Sequence, residues 1–147
     1  MQFSGSVTIR APRVRVWEFV IDPNQVGQCG PGVESVEKID EQHFRAVAKI
    51  GVGFINARFQ GTLEITETEP PDRAVLKASG QAPGSAVDAL ATMTLRDGDE
   101  PDTTVLDWVS DVAISGTIAS VGARLIEGTA NKLAGQTFDC IKSKLET

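Results

Sequence analysis

One segment near the middle of the sequence alternates strictly between apolar and polar residues. From Ile55 to Ile65 the odd positions carry apolar or small side chains, and the even positions through Thr66 carry polar ones. Because successive side chains of a β-strand point to opposite faces of a sheet, this pattern predicts a long strand with one apolar face. An antiparallel sheet with one apolar face needs a second layer to cover that face.

Shorter alternating segments on both sides predict further strands of the same sheet. They lie at 3–9, 33–39, 44–50, 74–79, 87–95 and 106–114, with turn-forming residues between them. We expect hairpins between 33–39 and 44–50 and between 87–95 and 106–114. A short helix is predicted to begin at Pro12 and to end before Asp22-Pro23-Asn24, because the residue before a proline avoids the helical conformation.

The last part of the chain changes to a helical period without any proline. The apolar residues that recur at this spacing are Ile118, Val121, Leu125, Leu133, Ile141 and Leu145. A helix over 118–145 extends roughly 40 Å, which suits a helix lying across the whole sheet. The sequence thus predicts a single α+β domain over residues 1–147, in which a curved antiparallel sheet of about seven strands wraps around a long C-terminal helix, with short helices after the first strand.

Several side chains predicted to face the helix are small. A filled core favours large side chains because voids cost stability, so recurrent inward alanines leave room for a ligand. The candidate ligand-binding residues are Phe44, Ala46, Ala48, Phe54, Phe59, Leu63, Leu76, Ala89, Ala91, Met93, Trp108, Val112, Ile118, Val121 and Leu125. The same pattern is also typical of an ordinary packed core, and that interpretation stays open.

Four glycines lie at or within the predicted helix: Gly116, Gly122, Gly128 and Gly135. A glycine in a helix interior costs about 1 kcal/mol relative to alanine, so each needs an explanation. Close contact between helix and sheet is one explanation, and a flexible segment that admits a ligand is the other.

The sequence offers no pair of inward titratable groups for acid–base catalysis. The only histidine, His43, lies in a polar turn, and Asp107 and Asp111 fall on the strand face opposite Trp108. Tyrosine is absent, which removes a phenol donor. We therefore expect no catalytic residue, no metal site and no cofactor.

The cysteines and the remaining charged residues suggest no chemistry either. Cys29 and Cys140 form no paired metal-ligand spacing, so we expect neither a zinc site nor a disulfide, and a reducing cytoplasm. Cys29 is predicted to be an unactivated turn or buried thiol. Arg124 and Glu127, three residues apart on the predicted helix, are expected to form a surface ion pair.

The net charge of −6 argues against nucleic acid, whose phosphates are bound mainly by Lys and Arg. No uninterrupted apolar segment approaches the roughly 18 residues of a membrane span, and the N-terminus lacks a signal-peptide pattern. We expect a cytoplasmic protein, with peripheral contact at the inner face of the membrane left open.

Four stretches of the sequence resemble the CoxG family of carbon monoxide dehydrogenase subunits, which belongs to the START-like (SRPBCC) superfamily. They are Val16-Trp17-Glu18-Phe19-Val20-Ile21-Asp22-Pro23, Cys29-Gly30-Pro31-Gly32-Val33-Glu34, Gly51-Val52-Gly53 with Arg58-Phe59-Gln60-Gly61, and residues 122–133. The resemblance covers nearly the whole chain and implies a helix-grip fold with a hydrophobic cavity. It also implies an accessory role beside a molybdenum-containing CO dehydrogenase-type enzyme and its coupling to the membrane or the quinone pool.

The resemblance makes a non-catalytic carrier of a lipid or quinone-like molecule the first hypothesis. Two alternatives stay open: a polyketide cyclase or hydrolase-like enzyme, which the superfamily also contains, and a recruitment or assembly module whose cavity is incidental. Many members of the family carry a membrane-anchoring extension after the long helix, whereas this sequence ends at Thr147 directly after it. We therefore expect no anchor within these residues.

Overall fold

The computed structural model describes residues 1–146 and has the predicted order of elements. Strand β1 (Gln2–Ile9) is followed by helices α1 (Arg13–Val20) and α2 (Pro23–Val26) and by a first 3₁₀ turn (Gly27–Cys29). The other strands are β2 (Val33–Lys38), β3 (His43–Val52), β4 (Ile55–Glu69), β5 (Arg73–Ala82), β6 (Ser85–Asp97) and β7 (Thr104–Gly116). A second 3₁₀ turn (Thr117–Val121) leads into the long helix α3 (Ala123–Leu145).

All strands form one antiparallel sheet in the order β1-β7-β6-β5-β4-β3-β2. Consecutive strands from β2 to β7 are neighbours, and β1 pairs with β7, with Phe3 opposite Ser110. Register shifts between Val33 and Ser35 and between Ile65 and Glu67 are irregularities of the β-bulge type, which bend strands. The predicted α+β architecture, with a curved sheet of seven strands and a long C-terminal helix, is confirmed.

The main core fills one end of the inner face of the sheet. Here α1, α2 and the last turns of α3 pack against β1, β6 and β7, and Ile9, Leu106 and Ile141 are almost fully buried. Thr104 is also fully buried, and its hydroxyl donates a 2.7 Å hydrogen bond to the carbonyl of Ala11. This end of the molecule is densely packed.

A disulfide joins this core to the long helix, contrary to our expectation. Cys29 and Cys140 are bonded, with their Cα atoms 5.4 Å apart, which lies in the usual range for a disulfide. The prediction was wrong because spacing gives no information on two cysteines 111 residues apart, and only the passage of α3 over the first 3₁₀ turn brings them together. The cysteine argument for a reducing compartment therefore no longer holds.

Two helix boundaries differ from the prediction. The segment 118–145 is not one helix, because Gly122 has φ 97° and separates the second 3₁₀ turn from α3. Pro23 does not only end the first helix; it also begins α2, with the Asp22 carboxylate accepting a 3.0 Å hydrogen bond from the amide of Asn24.

None of the helices in residues 1–146 combines the length and apolar composition needed to cross a membrane.

Candidate ligand-binding site

Small side chains are concentrated on the inner face of the sheet away from the main core. Strand register aligns two rows of directly opposed residues across this face. The first row is Ala46, Gly61, Gly80, Val87 and Ile114, and the second is Phe44, Leu63, Ala78, Ala89 and Val112. Because so many of these residues end at Cα or Cβ, the sheet cannot fill the space beneath α3 by itself.

A cavity of about 540 Å³ lies in that space. The first half of α3 covers it with Ile126, Thr129, Ala130, Leu133 and Ala134. Ligand sites in proteins have volumes of roughly 300–1,000 Å³ and mostly apolar walls, so both the size and the lining suit a small molecule. None of the lining residues, which all lie between positions 3 and 134, is charged.

Eight of the fifteen predicted binding residues line this cavity. They are Ala46, Ala48, Phe59, Leu63, Ala89, Trp108, Val112 and Ile118. Their contact with a ligand stays a prediction.

Seven predicted residues lie elsewhere. Met93 is buried in the main core, Phe44 is buried without reaching the cavity, and Leu76 and Ala91 are half-buried one row away. Val121 packs against the cluster around Phe59 and Ile126. Phe54, at the turn between β3 and β4, is 85% exposed, and Leu125 in the first turn of α3 is 46% exposed.

Several lining residues were missed by the sequence reasoning although a signal was present. Strand alternation places Ile50, Val52, Val87 and Ile114 on the same face as predicted neighbours. The helix residues that cover the cavity follow Ile126 at spacings of three, four, seven and eight, the pattern of one helix face. Phe3 comes from β1, whose place beside β7 the sequence does not reveal.

No titratable side chain of residues 1–146 lines the cavity. His43 Nδ1 is 2.9 Å from Asp40 Oδ1, and the hydrogen bond with Asp40 raises the pKa of His43 above its ordinary value, with Glu64 adding to the effect. Asp107 is on the outer face, where hydrogen bonds from the Ser6 hydroxyl and the Arg96 guanidinium lower its pKa.

The structure brings no acid–base pair and no metal ligands together at the cavity. Within residues 1–146 there is no cluster of three or more side chains of the metal-binding types. Trp17 belongs to the main core. Arg124 and Glu127 are both exposed, but the ion pair predicted from their spacing is not among the salt bridges of the described residues.

The glycines of the helical region fall into two groups. A Cβ on Gly116 would overlap the backbone of Gly84, so close approach explains this residue. A Cβ on Gly128 or Gly135 would have no atom of another element within 4 Å. Close packing against the sheet therefore does not explain the two glycines inside α3.

Comparison with known proteins relates this fold to a described family. The family model of the carbon monoxide dehydrogenase CoxG subunit matches residues 5–146. No curated protein matches the sequence.

Among solved structures, a conserved protein of Geobacillus kaustophilus is 24% identical, with a TM-score of 0.92 over 99% of this chain and 95% of its own. A START superfamily protein of Mycobacterium smegmatis is 13% identical, with a TM-score of 0.73 over 99% and 97% of the two chains. The ZhuI aromatase/cyclase of Streptomyces sp. R1128 is 14% identical, with a TM-score of 0.73 over 99% and 93%. These similarities show that the fold is the predicted helix-grip, START-like fold, and the family match shows that the chain belongs to the CoxG family.

Proposed function

We propose that this protein is a non-catalytic carrier that holds an apolar small molecule, a lipid or a quinone-like compound, between the sheet and α3. The observation that supports this is the cavity of about 540 Å³ with an apolar, uncharged lining. An unoccupied apolar void costs stability in proportion to its volume, so the small residues around it are best explained by an occupant.

The absence of reactive groups favours binding over turnover. Of the polar residues of the lining, Thr62 and Ser79 border it through their backbones with their side chains on the outer face, and Ser110 and Thr129 carry hydroxyls and no titratable group. An enzyme of the cyclase or hydrolase kind needs a base or acid within hydrogen-bond reach of its substrate, and isolated hydroxyls do not supply one near neutral pH. The cavity therefore supports a carrier better than an enzyme.

Family membership suggests the partner. A CoxG protein is expected to serve a molybdenum-containing CO dehydrogenase-type enzyme, and a carrier of apolar molecules could link that enzyme to the membrane or its quinone pool. The exposed side chains of Phe54 and Leu125 flank the start of α3, where a Cβ on Gly53 would lie 3.3 Å from Leu125 Cδ1. This rim is our candidate for the place where the ligand enters.

The test is native mass spectrometry of protein purified without detergent, followed by titration with the extracted ligand. The variant Ala89→Phe places a large ring in the cavity, and Ala113→Phe places the same ring on the exposed outer face of the neighbouring strand. We expect the first variant to lose the ligand and the second to retain it. If the wild-type protein carries no apolar molecule and binds none, the carrier proposal fails.

The same variants address the recruitment alternative. A dehydrogenase captured equally well by wild-type protein and by Ala89→Phe would show that partner binding does not need the cavity. Capture that depends on the bound ligand would support the carrier role.

A further inference from the structure

Two residues with hydroxyl groups line the cavity on opposite walls. Ser110 lies on the inner face of β7, opposite Phe3 and Ala91 in the neighbouring strands. Thr129 lies on α3, one turn after Ile126. Neither hydroxyl has a hydrogen-bond partner among residues 1–146.

Most other hydroxyls without a protein partner among residues 1–146 belong to exposed side chains, which water can satisfy, whereas Ser110 and Thr129 are half-buried. The hydroxyl of Thr137, also on α3, donates a 2.7 Å hydrogen bond to the carbonyl of Leu133, four residues earlier. That bond is the common solution for a threonine within a helix. Ser79 borders the cavity through its backbone. Its hydroxyl lies on the outer face and donates a 2.6 Å hydrogen bond to the carboxylate of Asp88.

An unpaired hydroxyl on an apolar wall is unfavourable, because it loses hydrogen bonds with water when the space is filled by an apolar molecule. Alanine at 110 and valine at 129 would give almost the same shape without this cost. The two hydroxyls are therefore best explained if a bound molecule brings a polar group to them.

The lining also limits the charge of that molecule. With no Lys, Arg or His on the wall, a carboxylate or phosphate inside the cavity would have no counter-charge, and burying an unpaired charge is strongly unfavourable. Both hydroxyls can donate a hydrogen bond to a neutral oxygen acceptor.

Resting on the proposed function, we propose that the ligand is a neutral molecule with a carbonyl group on an apolar body, and that Ser110 and Thr129 donate hydrogen bonds to its oxygen atoms. Acidic lipids with their headgroups inside the cavity are thereby disfavoured. The two hydroxyls are then determinants of specificity in a site whose affinity comes mainly from apolar contact.

The experiment compares three probes of equal chain length: 2-undecanone, undecane and undecanoate. Binding is followed by tryptophan fluorescence, since Trp108 lines the cavity. We expect the wild-type protein to bind the ketone more tightly than the hydrocarbon or the carboxylate. Ser110→Ala and Thr129→Val should each weaken ketone binding roughly 2- to 13-fold, the range of one neutral hydrogen bond, and should not weaken hydrocarbon binding.

Matched controls exist on the same two elements. Ser115→Ala changes an exposed serine of β7 outside the cavity, and Thr137→Val removes a hydroxyl that is bonded within α3. Neither should alter the preference for the ketone.

Three results would overturn the inference. Equal affinity for ketone and hydrocarbon, with no effect of either cavity variant, would refute the role of the hydroxyls while leaving the carrier function intact. Tightest binding of the carboxylate would refute the neutral ligand. Failure of all three probes, together with the absence of any co-purified molecule, would remove the proposed function itself.

Discussion

Breaking the disulfide between Cys29 and Cys140 should lower the stability of the protein substantially. The bond closes a loop defined by a separation of 111 residues. In the loop-entropy model, a loop of this length restricts the unfolded chain by about 5 kcal/mol at 25 °C. Domains of this size are typically stable by only about 5–15 kcal/mol, so the reduced protein should lose a third or more of its free energy of unfolding.

Guanidinium unfolding of oxidised and fully reduced protein measures this effect. With a slope of roughly 2–6 kcal/mol per molar, the midpoint should fall by on the order of 1 M on reduction. Alkylation and mass determination confirm that both thiols are free. Comparison of the two redox states isolates the cross-link, because no atom of the core is removed.

The double variant Cys29→Ala/Cys140→Ala is the control. It should resemble reduced wild-type protein, with a further small loss because Cys29 is buried, and added reductant should not change its unfolding curve. A difference of less than about 1 kcal/mol between oxidised and reduced wild-type protein would refute the reasoning, since the cross-link would then hardly restrict the unfolded chain.

Three further predictions concern single positions. Gly61→Ala should lower the free energy of unfolding, because its Cβ would lie 2.5 Å from a backbone carbonyl oxygen of β5. Gly80→Ala, directly opposite, should be tolerated, because its Cβ meets only a side chain at 3.7 Å. Urea unfolding of the two variants measures the difference. Asp40→Asn should lower the raised pKa of His43 towards about 6.5 in an NMR titration, since the charge of the carboxylate favours the protonated ring. Any stability from this pair is present while Asp40 is ionised and His43 is protonated; it is lost as pH rises through the raised pKa of His43 and as pH falls through the lowered pKa of Asp40. Gly128→Ala should raise the free energy of unfolding by about 1 kcal/mol, because the helix gains a better former where the added methyl group meets no other element.

The strands were predictable because one apolar face imposes a period of two on the sequence. The pattern from Ile55 to Ile65 fell within β4 (Ile55–Glu69), which continues four residues further, to Glu69. The same periodicity identified half of the cavity wall contributed by β3, β4, β6 and β7, seven of its fourteen lining residues. The periodicity could not show how far along each strand the cavity wall extends. Met93 has the same orientation as Ala89, yet it lies under the main core rather than under the cavity.

Features that depend on contacts between distant segments were not predictable. The disulfide requires the end of α3 to cross the first 3₁₀ turn, and the interruption at Gly122 depends on a positive φ that glycine permits but does not demand. Leu125 illustrates the consequence for the site. It fits the helical period of residues 118–145, yet it lies in the first turn of α3 and its side chain is 46% exposed.

The separation of a dense end from a hollow end affects how such a protein can change during evolution. The main core, around Ile141 and the disulfide, is distinct from the small residues Ala89 and Gly80 of the cavity wall, whereas Phe59 and Ile126 both line the cavity and form a second buried cluster. Substitutions at sites without shared neighbours have nearly additive effects. Side-chain size at the small positions of the cavity wall can therefore change during evolution, and the range of ligands that bind can change with it, while the main core stays intact.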